Sequence, residues 1–262
     1  MPALGIKNGL GRTSIKQSAV VRAAKGLSAY DSYSVSFDGT SDYIDFSTNF
    51  SSIFQPDSDW GIAAWVKVGN LGGTDYIFSA GSVTGSGSYV RFMFGIDSDN
   101  YLETTHQSAN DPATVRITGD DAVPEDTWTL VTTSHNSSTN TITQSVGSNT
   151  HSGTWAPSGN INGVRGVFGS LSQTISSNEL TGSLASVAFF NDEITSSNRT
   201  SMLTSSGFDM SSLSHCVHWW RMGDGVGDAT PPSSYQDPIV DQVGDEDGEL
   251  RGDTLVVSGA IE

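Results

Sequence analysis

The chain holds a single cysteine, Cys216, in 262 residues, so no disulfide can form within it and a disulfide-stapled scaffold is excluded. Folding has to rest on a hydrophobic core. Basic residues are also scarce, 12 against 29 acidic ones for a formal charge of −17 at pH 7. A surface of that sign repels phosphates and anionic headgroups, which argues against nucleic acid and membrane as partners. No apolar run approaches the length needed to cross a bilayer. The opening stretch, MPALGIKNGLGRTSIKQSAVV, has no apolar core followed by a small-residue cleavage site, so synthesis in a cytosol without export is expected.

The scarcity of basic residues is not uniform. Lys7, Arg12, Lys16, Arg22 and Lys25 fall within residues 1–30, which contain no Asp or Glu, and the remainder keeps seven basic residues against all 29 acidic ones. A basic arm, residues 1–32, thus precedes an acidic body, residues 33–262, whose length suits one β-sandwich domain.

What the chain has in plenty is glycine, 29 residues, and aromatic side chains, with 11 Phe, 7 Tyr and 6 Trp. That composition favours short strands and many turns. In Tyr33–Asp38, Tyr33, Val35 and Phe37 alternate with polar residues, which is the signature of a strand with one buried face. Asp38-Gly-Thr-Ser-Asp42 supplies turn chemistry and Tyr43–Phe46 resumes the pattern, giving a hairpin. Trp60–Val68 is apolar at both parities, as a central strand covered on both sides must be. Further strands are predicted at Asp75–Ala80, Tyr89–Ile96, Tyr101–Thr105, Thr127–Ser134, Thr141–Val146, Val164–Gly169, Leu184–Phe190 and His215–Met222. Ile194–Ser205, ahead of Gly207, reads as a short surface helix with a glycine stop. The fold class expected is all-β, a two-sheet antiparallel sandwich with one short helix and an extended N-terminal arm.

Ser34-Val-Ser-Phe-Asp-Gly-Thr-Ser-Asp-Tyr-Ile-Asp-Phe46 followed by Trp60-Gly-Ile-Ala-Ala-Trp-Val-Lys67 resembles the opening of a laminin G-like domain of the concanavalin A-like lectin and glucanase superfamily. Trp128-Thr-Leu-Val-Thr-Thr133 and Leu180–Asn191 with the following helix are similar to that family's later elements. The resemblance covers residues 33–222 and implies a jelly roll. His218-Trp-Trp-Arg-Met-Gly-Asp224, with Asp241-Gln-Val-Gly-Asp245, is similar to laminin G-like virion proteins of marine bacteriophages. That likeness implies a virion structural protein, of capsid or tail, made in the host cytoplasm.

The glucanase branch is known for a Glu-x-Asp-x-x-Glu string, and none occurs here. Asp245-Glu-Asp-Gly-Glu249 comes nearest and reads as a solvated acidic turn. His215 and His218, three apart in a strand, point to opposite faces and cannot share a metal. Cys216 in an apolar strand reads as a packed thiol. No enzyme activity is expected, with a glycoside hydrolase as the remote alternative. Calcium is the one candidate cofactor, because hard cations take loop oxygens, and Asp224, Asp228, Asp241, Asp245 and Asp247 are its candidate ligands. Against that, an acidic protein has acidic loops in any case. Trp155, in a loop context, is the candidate glycan contact, although packing against the sheet competes for it. Lys7, Arg12, Lys16, Arg22 and Lys25 are expected to anchor the arm to other virion proteins, with homo-oligomerisation open. A glycan-binding adhesin of a tail fibre, recognising a host surface glycan, is the alternative function.

Overall fold

In the computed structural model of the chain, the described residues are 32–48, 50–69, 73–81, 91–107, 114–157, 159–160, 165–171, 178–204, 208–225, 227–228, 238–252 and 254–258. Lys7, Arg12, Lys16, Arg22 and Lys25 lie outside them.

The described residues form sixteen strands. In chain order these are β1 Tyr33–Asp38, β2 Tyr43–Phe46, β3 Trp60–Val68, β4 Asp75–Gly81, β5 Arg91–Ile96, β6 Tyr101–Gln107, β7 Thr114–Ala122 and β8 Thr129–Asn136. They continue as β9 Thr141–Val146, β10 Asn149–Thr154, β11 Gly166–Phe168, β12 Thr181–Phe190, β13 Cys216–Trp220, β14 Pro238–Ile239, β15 Gly248–Arg251 and β16 Leu255–Ser258. One helix, α1 Ser196–Met202, and one 3₁₀ turn, Met210–Ser212, interrupt them. Sheet I runs β10-β9-β8-β3-β12-β1-β16, with β13 also paired to β12; sheet II runs β14-β15-β2-β11-β4-β5-β6-β7. Every strand pairing is antiparallel. The sandwich expected from alternation is the one that forms.

Alternation places the core. From sheet I, Ile62, Ala64, Val66 and Val187 face inward; from sheet II, Ile44, Phe46, Phe78, Phe92, Phe94 and Phe168 do. Phe54 and Phe92 stack with centroids 4.8 Å apart, and Phe46, Phe168, Phe189 and Trp220 meet edge to face or tilted, geometries that add to area burial. β3 is buried at both parities because Ala63 and Trp65 on its other side join Phe190, Trp219 and three residues of the helical excursion, Ile194, Met202 and Met210. Thr195 caps α1, its side chain accepting from the Asn198 amide.

The interior has a polar end. Gln144 Nε2 donates to Thr104 Oγ1, which is hydrogen-bonded to Thr133 Oγ1 at 2.8 Å. His135 Nδ1 lies 2.8 Å from the Ser58 carbonyl. Burial pushes the His106 imidazole down to about 4, a hydrogen bond to Gly159 opposing it only in part, and burial lowers His135 as well.

Several elements differ from the sequence reading. β7 was hidden by Gly119-Asp-Asp, which has turn chemistry yet continues the strand that Val115 and Ile117 begin. β10 is almost wholly polar because it is an edge strand; β15 and β16 are short partners of β2 and β1 recruited from the far end of the chain, and β14 pairs with β15.

Candidate functional site

The five carboxylates nominated for calcium do not form one site. Asp224 accepts from the amides of Ser32 and Tyr33 at 2.7 and 2.8 Å, fixing the start of β1. Asp228 accepts from the amides of Gly223, Gly225 and Val240. Burial raises its carboxyl, and those three bonds and the charge of Arg221 oppose the rise. Asp241 Oδ1 takes the amides of Trp219, Val243 and Gly244, while Oδ2 takes Glu246 and sits 2.6 Å from His218 Nδ1. Burial alone would raise Asp241, but the bonds from His218 and the backbone outweigh it and leave the carboxyl below its ordinary value. Asp247 Oδ1 accepts from the Asp241 amide, and Asp245 is exposed.

These oxygens are met by N–H donors, which is the electrostatic opposite of a cation site. Among the described residues no group of three or more His, Cys, Asp or Glu is placed to hold a metal. The residues present do not fit calcium; they staple loops. Trp155 also departs from its assignment. It is 1% exposed, with its ring edge-on to Trp60 and His106 at centroid distances of 6.4 and 6.2 Å, so it closes the core and offers no face to a sugar. Cys216 is half-buried, and burial, joined by Asp241 and Asp209, pushes its thiol up to about 12. The shift disfavours the thiolate, the nucleophilic form.

A different set of residues converges on the outer face of sheet II. Strand register places one residue per strand in a continuous row: Glu249, Asp45, Val167, Ser79, Met93, Thr105 and Arg116. Tyr43, Tyr76 and Glu103 share that face one step along their strands. Polar side chains on the outside of a sandwich are ordinarily wet. Here Asp45 is 8% exposed, Ser79 3%, Thr105 1% and Glu103 1%.

Each sheltered group has partners. Ser79 Oγ donates to the carbonyls of Ser170 or Leu171, which lie over the sheet. Asp45 Oδ2 is 3.1 Å from Arg165 and 3.8 Å from Arg251, and Arg251 also pairs with Glu249. At the opposite side Glu103 Oε1 accepts from Thr105 and lies 3.3 Å from Arg116, while Glu103 Oε2 is buried without a hydrogen-bond partner. The arrangement is a sealed polar row in which Val167 and Met93 are also buried, at 1% and 5% exposed, with Arg116 and Arg165 standing half in solvent at its two sides.

Sequence reading missed this face. Its signal was present in the polar parity of Tyr-Ile-Asp-Phe46 and Tyr-Leu-Glu-Thr-Thr105, but the pairing of β2 with β11 and β15 joins residues far apart in the chain.

A family model for the concanavalin A-like lectin/glucanases superfamily matches residues 38–198, more than half of the chain. No curated protein matches it. Among solved structures, a Bacteroides ovatus protein proposed to bind carbohydrate is similar with a TM-score of 0.64 at 12% identity, over 89% of this chain and 62% of that one. This chain therefore spans less than two thirds of that protein's length. The NanB sialidase of Streptococcus pneumoniae is similar with a TM-score of 0.50 at 16% identity, over 66% of this chain and 27% of that one. At such identities the likeness is one of fold.

Proposed function

Because the chain belongs to the concanavalin A-like lectin/glucanases superfamily, we propose that it is a non-enzymatic module that binds a glycan on the outer face of sheet II and is held on a virus particle by its basic N-terminal arm. The observation that carries the glycan reading is the pair of half-exposed arginines, Arg116 and Arg165, each held by a sheltered carboxylate, Glu103 and Asp45, on one sheet face. Keeping such carboxylates from water is costly unless their partners are preset, and few, fixed polar groups are what saccharide recognition requires. Met93, Val167, Ser79 and Thr105 are 5% exposed or less, so the groups open to a sugar are the half-exposed guanidiniums of Arg116 and Arg165. The resemblance to a carbohydrate-binding fold partner, TM-score 0.64, is consistent with this use of the fold.

A glycan array tests it. Retention of at least one glycan class is expected, with weaker retention in Arg116→Gln and in Arg165→Gln, whose side chains stand half in solvent. An array without hits removes the reading.

A hydrolase is the second reading, favoured by one observation. Glu249 and Asp45 stand directly opposite on β15 and β2, where side chains are about 5 Å apart, near the separation retaining glycosidases use. Against it, hydrolysis needs one carboxyl to deliver a proton, and Arg251 is paired with both. The other sheltered acid, Glu103, lies four strands from Asp45, roughly 19 Å at ~4.8 Å per strand. New reducing ends on incubation with a retained glycan, abolished in Glu249→Gln, would establish the hydrolase and remove the non-enzymatic reading.

The virion setting is supported by the contrast between arm and body charge and by the likeness of the 218–245 segment to phage proteins. The arm would dock on an acidic surface of a capsid or tail protein, or on a second copy. Deleting residues 2–30 should abolish incorporation into particles while leaving thermal unfolding of the sandwich unchanged. Many copies over the capsid point to decoration, and a few at the tail tip to host attachment.

A further inference from the structure

Resting on the arm-anchor reading above, we infer that the hollow beside the bulge of β7 is a lysine-binding site, filled by the basic arm of a second copy of the chain. Thr118 pairs with Glu103 and Ala122 with Tyr101, so Gly119, Asp120 and Asp121 stand opposite the single residue Leu102. A bulge of that kind re-aims side chains out of the regular alternation. Its three residues line a hollow whose other walls include Gln144, Asn149 and His151. The hollow takes up about 170 Å³ with its open mouth, and its floor admits one group the size of a water.

The acceptors there are short of donors. Asp120 Oδ2 lies 2.7 Å from His151 Nδ1, and Asp121 Oδ1 accepts from Asn149 Nδ2 at 3.1 Å; no other donor among the described residues meets either carboxylate. Gln144 is 1% exposed, its Nε2 donates to Thr104 and to the Ile117 carbonyl, and its Oε1 is buried without a partner. An unmet buried acceptor is costly, and a donor seated beside Gly119 removes that cost. Gly119 keeps the place clear, since a Cβ added to it would sit 3.5 Å from Oε1. A lysine ammonium matches the place: it is compact and brings three donors to three acceptors. The planar guanidinium is broader than the floor.

The surroundings favour a cation and point to its source. Asp97, Asp99, Glu125 and Asp126 stand near the bulge, tied to it by the pairing of Tyr101 with Ala122, the Val123 amide on the Asn100 carbonyl, and Asn100 Nδ2 on Glu125. Asp97 is half-buried and the other three are exposed. Arg116 is the one Lys or Arg between Ile96 and Trp155, and it is paired with Glu103 on the outer face. Such a surface attracts positive charge, and the chain's acid-free positive segment is the arm with Lys7, Arg12, Lys16, Arg22 and Lys25. The arm leads into β1, whereas β10 walls the hollow, and β12, β3, β8 and β9 lie between them in sheet I, a span of roughly 24 Å at ~4.8 Å per strand. Lys25 stands seven residues before Ser32 and reaches ~23 Å at most at ~3.3 Å per residue. For the earlier lysines the straight path is covered by Ile194, Met202 and Met210. A neighbour's arm needs no detour. Arm into hollow is a heterologous contact, so each copy can hold the next.

The test is analytical sedimentation of the full chain at low salt, where charge contacts are least screened. Its mean mass should rise with concentration above 27.6 kDa. A chain carrying Lys7→Gln, Lys16→Gln and Lys25→Gln, and a chain carrying Asp120→Asn and Asp121→Asn, should each stay monomeric. An equal mixture of the two should form a pair and nothing larger, because each supplies the half that the other lacks. Gly119→Ala, whose methyl meets only ordinary contacts, should keep the unfolding midpoint and weaken association at least tenfold. A full chain that is monomeric at every concentration, self-association that survives in either charge variant, or a mixture that stays monomeric overturns the inference. Unchanged association in Gly119→Ala overturns it as well, since the arm then lies on an acidic surface without using the hollow. The anchor reading is decided separately, by the incorporation of the 2–30 deletion into particles.

Discussion

The two outward faces of the sandwich are built by the same alternation and finished in opposite ways. On sheet I the outward parity of β3, β8, β12 and β13 is apolar, with Ala63, Trp65, Leu130, Ala185, Ala188, Phe190 and Trp219, and the chain covers it with its own Ile194, Met202 and Met210. On sheet II the outward parity is polar and charged, and its waterward edge is arginine. An apolar face must be closed for the fold to be stable. A polar face gains nothing comparable from burial, so recognition falls to the half-exposed Arg116 and Arg165 at its edge and not to the sealed row behind them. Stability and binding should therefore separate by face.

The largest expected effect abolishes the separation. Asp241 ties the two sheets together, since it bridges to Trp220 next to sheet I while its amide is held by Asp247 ahead of β15 in sheet II. Asp241→Ala strips four backbone amides and His218 of their acceptor. The expected loss is about 3–5 kcal/mol, read as a lower denaturant midpoint, and glycan binding should fall with it. A loss under about 1 kcal/mol would show that the carboxylate is not the clasp described.

Acid comes next, and it acts on the interior that both faces share. His106 has a folded value of about 4 against an ordinary 6.5. Because the folded value is depressed, the unfolded chain binds the proton first, and stability falls as pH drops from 6.5 towards 4. The shift corresponds to about 3 kcal/mol, and the lowered His135 adds in the same direction. Asp241 contributes separately: its folded value is lowered, so its stabilisation holds above the ordinary carboxylate range and is lost only below it. Unfolding temperature followed from pH 7 to pH 4 should fall, and His106→Gln should flatten the slope. A profile level down to pH 4 would mean the imidazole is wetter than its surroundings imply.

Which parts were legible in the sequence follows from the range of the interactions. Strands such as Tyr33–Asp38 and Trp60–Val68 could be read because period-two alternation is local. The helix was found two residues long at its start, at Ile194 instead of Ser196, because Ile194 is buried for sheet packing and has no helical role. The candidate site was not legible. Asp45, Glu249, Ser79 and Arg116 come from four separated segments, and only register brings them into one row. Residues that are conspicuous in a string, such as the acidic run at 245–249 and Trp155 in its polar loop, were conspicuous for local reasons. One is partly loop staples and the other a plug of the core.

A smaller change tests the covered face alone. The side chain of Ile194 lies over Gly61 of β3, where an added Cβ would sit 2.5 Å from Ile194 Cγ1. Ile194→Val removes one buried methylene from that contact and should cost about 1 kcal/mol. Glycan affinity should not move. A matching loss of affinity would show that the two faces are coupled through β3 and would undo the comparison.

The smallest effect on stability should accompany a large one on binding. Arg165 is half exposed and pairs with a sheltered Asp45 that Arg251 also approaches, so its removal leaves the carboxylate with a charged neighbour. Exposed ion pairs contribute little, and Arg165→Gln should shift the denaturant midpoint by less than about 0.5 kcal/mol. Its affinity for the retained saccharide should nevertheless drop about tenfold, since the guanidinium at the surface is the part a ligand meets. If Arg165→Gln instead destabilises the fold by more than 2 kcal/mol, the arginine is a structural clamp on Asp45, and the outer face of sheet II is closed by its own chain in the same sense as sheet I.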